Sequence, residues 1–60
     1  MTEREVVEKL LAAGFIEYPS RKHRTFKHPD GRITRIPRHK GDLKKGTLQA
    51  IQRQTGIDLS

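Results

Sequence analysis

"KHRTFKHPDGRITRIP", residues 22–37, is the stretch on which the fold turns. His28-Pro29-Asp30-Gly31 has proline at the second position of a tight turn and glycine at the fourth, where each suits the backbone. "KHRTFKH" before it and "RITRIP" after it then read as two strands closed into a hairpin. Side chains alternate across a strand, so Phe26, the one large apolar residue of the first arm, marks the core face. His23, Thr25 and Lys27 fall on the other face, where His23 is expected to be exposed or partly exposed. Strict alternation puts Ile33 and Ile36 on opposite faces. A bulge near Arg35 is the expected device for turning both inward.

The hairpin has a helix on either side. Thr2-Glu3-Arg4-Glu5 has the form of a capping box, with Thr2 and Glu5 satisfying each other's backbone amides. Val6, Val7, Leu10 and Leu11 recur at helical spacing as one apolar stripe. Gly14 supplies a left-handed terminus, against which Phe15 can fold back onto Leu10. These features predict a helix over about residues 3–13. "FIEYPS" is a short aromatic and β-branched run stopped by Pro19, a strand at about 15–19. From about Lys44 to Thr55 the pattern is helical again, with Leu48 and Ile51 inward and Gly56 as the stop. The order α-β-β-β-α leaves no room for a long crossover, so the three strands form an antiparallel meander with both helices on one face. The fold class is α+β, a single domain over residues 1–60.

Sixty residues bury only about 60% of their unfolded surface, so one small core must serve. The chain has no cysteine, which rules out disulfides and thiolate ligands and suits a reducing compartment. No apolar run approaches the length of a membrane span, and "MTEREVVEKL" is too acidic for a secretory signal. A cytoplasmic protein is expected, with no membrane association.

Charge is distributed in blocks. Residues 1–20 carry a net −2 and residues 46–60 are neutral. Residues 21–45 hold ten Lys/Arg against Asp30 and Asp42, a net +8. A basic block on an otherwise balanced domain is the footprint of a nucleic-acid binder. Arg21, Lys22, Arg24 and Lys27 form its first half. Lys44 and Lys45 stand at the start of the second helix, where free amides and the helix dipole also favour a phosphate. Lysines there disfavour the helix itself, which makes a binding role the more attractive reading.

The three histidines, 23, 28 and 39, are poorly arranged for a metal. His23 and His28 point to opposite faces, and the surrounding cations repel a divalent ion. No metal and no small-molecule cofactor are expected. They suit RNA cleavage better, because RNA carries its own nucleophile, the 2′-hydroxyl. The reaction then needs a base, an acid for the leaving 5′-oxygen, and cations around phosphorus. On residue chemistry His23 is either this proton-transfer group or an incidental surface histidine. His28, preceding a turn proline, reads as a backbone choice. His39 can cap, bind phosphate or hydrogen-bond the loop, and stands as an accessory candidate.

"EVVEKLLAAGF", "HRTFKHPDGR" and "IPRHKGDLKKGTLQAIQRQTGI" together resemble the HicA-type mRNA interferase toxins of bacterial toxin–antitoxin modules, over nearly the whole chain. The resemblance implies a double-stranded-RNA-binding-domain-like fold, which agrees with the order read above. It implies endonuclease activity on mRNA, which the histidine chemistry above would perform without metal, and neutralisation by a HicB-type antitoxin protein, which is expected to occlude the active site. The family's essential histidine, three residues before the aromatic of the second strand, falls on His23. Where the family usually has Gly-Ser or Gly-Gly ahead of it, this chain has Arg21-Lys22. Two alternatives accompany this reading. One is a non-catalytic RNA-binding module of the same fold, and the other is a DNA-binding protein.

Overall fold

A computed structural model describes residues 1–59. The chain runs α1 (Glu3–Ala12), β1 (Ile16–Pro19), β2 (His23–Lys27), β3 (Ile33–Pro37) and α2 (Lys45–Thr55). The sheet is antiparallel in the order β1-β2-β3, the expected meander.

Local chemistry sets each element end. The Thr2 hydroxyl accepts from the Glu5 amide at 3.2 Å, and the Thr2 amide donates to Glu5 Oε1 at 2.9 Å, completing the capping box. At the other end Gly14 takes φ +95°. Its amide donates to the Leu11 carbonyl at 3.1 Å and that of Phe15 to Leu10 at 3.0 Å, the paired bonds of a Schellman turn. Phe15 is thereby committed to the helix terminus and the core, and β1 starts one residue later than the sequence suggests. The hairpin turn closes through the Gly31 amide on the His28 carbonyl at 2.9 Å, with Gly31 at φ +101°. Gly56 ends α2 in a left-handed conformation.

Val6, Val7, Leu10, Phe15, Phe26, Ile36, Leu43, Ile51 and Leu59 make up the core, with Leu48 partly buried against it. Two threonines are buried with them and are satisfied. Thr34 Oγ1 donates to Gln54 Oε1 at 2.7 Å, and Thr55 Oγ1 to the Ile51 carbonyl at 2.7 Å. Leu11 departs from expectation by lying half exposed, because the buried stripe of α1 is only as wide as positions 6, 7 and 10.

Register corrects the other expectation. β2 pairs β3 continuously from His23↔Pro37 to Lys27↔Ile33, so there is no bulge at Arg35. Thr34 and Ile36 are buried, whereas Ile33 and Arg35 are exposed. Both helices lie on the face that carries Phe26, Thr34 and Ile36. Among the described residues no element covers the opposite face, so Ile33 needs no bulge.

Candidate nucleic-acid interface

The first four charged residues of the basic block divide by position. Arg21 and Lys22 lie in the turn between β1 and β2, both exposed. His23 opens β2 on the uncovered face and is exposed. Lys27 shares that face four residues along, about 13 Å away at strand rise. Arg24 alternates to the core side.

There Arg24 is held by two carboxylates. Its Nε and Nη2 donate to the two oxygens of Glu17 at 2.7 Å each, a bidentate pair, and Nη1 reaches Glu3 at 3.2 Å. All three side chains are only 18–25% exposed. The pairing holds the Glu17 carboxyl below its ordinary range and raises Arg24 further above its own. Glu3 is also lowered, first by the His39 amide that it accepts and then by Arg24. Arg24 is thus a tie between α1, β1 and β2, and its charge is used internally. The sequence counted Arg24 among the RNA-binding cations beside His23; the structure turns it to the core side, where two carboxylates pair it. Glu3, 21 residues away in sequence, was not foreseeable as its partner.

The other neutralised cation is Arg32. Its Nε donates to Asp30 Oδ2 at 2.7 Å and its Nη1 to the Thr55 carbonyl, which stitches the hairpin turn to the end of α2. The Arg32 amide also donates to Asp30, the main reason that carboxyl is held low. Among the described residues the remaining eight Lys/Arg of the 21–45 block form no ion pair. They are Arg21, Lys22, Lys27, Arg35, Arg38, Lys40, Lys44 and Lys45. The positive field of the block therefore survives folding almost intact.

His28 and His39 have different surroundings. The His28 ring packs edge-on against Phe15, centroids 5.0 Å apart, and its Nδ1 lies 3.0 Å from Asp30 Oδ1. It is a packing residue of the turn. His39 is exposed, and its amide donates to Glu3 Oε1 at 2.9 Å. Because Pro37 pairs with His23, the segment carrying His39 leaves β3 at the His23 end of the sheet. Arg38 Nη2, 3.4 Å from the Ser20 carbonyl, closes the same end, and the Ser20 hydroxyl donates to the His23 carbonyl. Asp42 pairs with Thr2, which brings the loop toward Lys44 and Lys45 back along the start of α1. Arg38 was not singled out from the sequence, and only its return toward Ser20 gives it a place.

Lys44 is the N-cap of α2 and makes no side-chain cap bond, and no acidic residue occupies the first turn. This helix start therefore retains free amides and two lysines, both exposed. Among the described residues, no three His, Cys, Asp or Glu side chains gather into a set that can hold a metal. Among the described residues no helix is long and apolar enough to cross a membrane. The arrangement can attract a polyanion to one end and one face of the sheet and present it with a solvent-accessible imidazole.

No curated protein matches the chain. The family of the HicA toxin of bacterial toxin–antitoxin systems matches residues 4–57, nearly the full length, and the chain belongs to that family.

Proposed function

We propose that this HicA-family toxin is an mRNA interferase, an endoribonuclease that uses His23 for proton transfer. The observation that carries the reading is an exposed His23 heading β2 on the uncovered sheet face, directly after Arg21 and Lys22, which form no ion pair among the described residues. In this mechanism the neutral imidazole takes the proton of the ribose 2′-hydroxyl as that oxygen attacks phosphorus. The P–O5′ bond breaks, and the 5′-oxygen takes up a proton from the imidazolium or from an accessory group, for which His39 is the candidate. Arg21, Lys22, Lys27, Lys44 and Lys45 bind phosphates and offset the charge that builds on phosphorus. The products are a 2′,3′-cyclic phosphate, or its hydrolysed 3′-phosphate, and a 5′-hydroxyl.

A toxin with this surface requires an inhibitor of complementary charge. An acidic HicB-type antitoxin covering His23 and several residues of the 21–45 block is the partner that follows.

Purified protein incubated with single-stranded RNA and a chelator should cut it, and His23→Ala should not. The variant should keep its fold, since an exposed side chain carries little packing energy. His28→Ala should do the reverse, losing stability and keeping more activity. Products with 5′-phosphates, or full cleavage by His23→Ala, would overturn the mechanism. The second reading is a non-catalytic RNA-binding domain, favoured by the long Arg21 and Lys22 side chains in the turn directly before His23. It predicts salt-sensitive RNA binding without cleavage by either protein.

A further inference from the structure

Four large apolar side chains are exposed among the described residues, and three of them, Ile16, Tyr18 and Ile33, share the uncovered sheet face. Scattered apolar residues are ordinary, but a cluster on one face marks a contact surface. Register interleaves this cluster with cations. Across the strands one row reads Ile16–Lys27–Ile33 and the next Tyr18–Thr25–Arg35. The Lys27 ammonium lies 4.9 Å from the centroid of the Tyr18 ring. His23 is the diagonal neighbour of Tyr18, two residues from its partner Thr25, a separation of about 7–8 Å. An aromatic ring bordered by unpaired cations is the composition of a single-strand platform, in which bases stack and phosphates follow the charge. A protein partner matched to the apolar residues alone would leave Lys27 and Arg35 to be desolvated unpaired.

We propose that Tyr18 is a base-stacking platform: single-stranded RNA crosses the uncovered face with one base on the Tyr18 ring and adjoining phosphates on Lys27 and Arg35, which delivers a neighbouring phosphodiester to His23. The inference rests on the reading of this chain as an RNA-acting protein and assigns a nucleotide subsite to it. Stacking displaces the Lys27 ammonium from the ring toward a phosphate, replacing an exposed cation–π contact with a stronger one. Every base has a π-face, so the subsite positions RNA and discriminates weakly among bases.

Tyr18 is the sole tyrosine and the chain has no tryptophan, so its emission reports on this face alone. In the His23→Ala variant, titration with a ten-nucleotide oligouridylate or oligoadenylate should quench that emission as the RNA binds. Anisotropy of the labelled oligonucleotide should show Tyr18→Phe binding within about twofold of its parent and Tyr18→Leu binding about tenfold or more weakly. Binding without quenching, or undiminished affinity in a folded Tyr18→Leu, would overturn the proposal and assign the apolar face to a protein partner. If the wild type cuts RNA and Tyr18 is silent, only this inference fails. If RNA quenches Tyr18 and the wild type does not cut, the subsite stands and the nuclease reading fails.

Discussion

Replacing Arg24 with glutamine should cost this domain about 2 kcal/mol and leave its RNA electrostatics almost untouched. The side chain makes three charge-assisted hydrogen bonds, two of 2.7 Å to Glu17 and one of 3.2 Å to Glu3. Removing one member of a fully buried pair costs about 3–5 kcal/mol, and of an exposed pair about 0–1. With all three side chains 18–25% exposed, water can reach the abandoned carboxylates, and the cost falls between those limits. A domain this small has only about 3–5 kcal/mol in total. At about 4–8 °C per kcal/mol the melting temperature should fall by about 8–16 °C. Thermal unfolding followed by circular dichroism measures the loss, and a double-mutant cycle with Glu17→Gln isolates the pair. The slope of log affinity against log salt for single-stranded RNA should stay at its wild-type value, because Arg24 has no phosphate to release. Arg24→Gln within about 0.5 kcal/mol of wild type, with a salt slope reduced by about 0.7, would refute the assignment and return Arg24 to the RNA-binding set.

Lys44→Gln/Lys45→Gln should behave oppositely, reducing the salt slope by about 1.4, or about 0.7 per phosphate contact, while stabilising α2 by a few tenths of a kcal/mol as the cations leave its N-terminus; equilibrium binding at several salt concentrations and urea unfolding measure the two effects. Gly14→Ala should destabilise by about 1–3 kcal/mol, because φ is +95° there and the new Cβ would sit 3.2 Å from His28 Nε2. Gly46→Ala, with open space around it and no positive φ, should be neutral or slightly stabilising in the same urea titration. Acid should unfold the domain through Glu3, Glu17 and Asp30. Their folded-state pKa values are depressed, so their stabilisation is complete above the ordinary carboxylate values, 4.5 for Glu and 3.8 for Asp, and is lost as pH falls through the lower folded values. Glu3→Gln/Glu17→Gln should flatten that dependence in a pH series of melting curves, and an unchanged acid limb would contradict the pairing geometry.

Features legible in the sequence were those whose causes lie within a few residues. The capping box at Thr2, the glycine terminus at Gly14, the turn at 28–31 and the alternation around Phe26 are each local, and together they specify the element order and the exposure of His23. Tertiary structure was needed wherever a cause spans the chain. Arg24 and Lys27 look alike in a charge count, yet one is spent on Glu3 and Glu17 while the other faces an uncovered sheet. Glu3 reads as an N-terminal helix residue, and folding also makes it the acceptor that fixes the backbone of His39. Ile33 looked like core because apolar residues ordinarily seek one, but a sixty-residue chain has two helices for the two faces of its sheet and packs both on one side. Alternation within β2 groups His23 with Lys27, and only the cross-strand register brings Tyr18 and Arg35 to the same bare face. A side chain's partners depend on which distant segment arrives beside it, and the core's packing decides that.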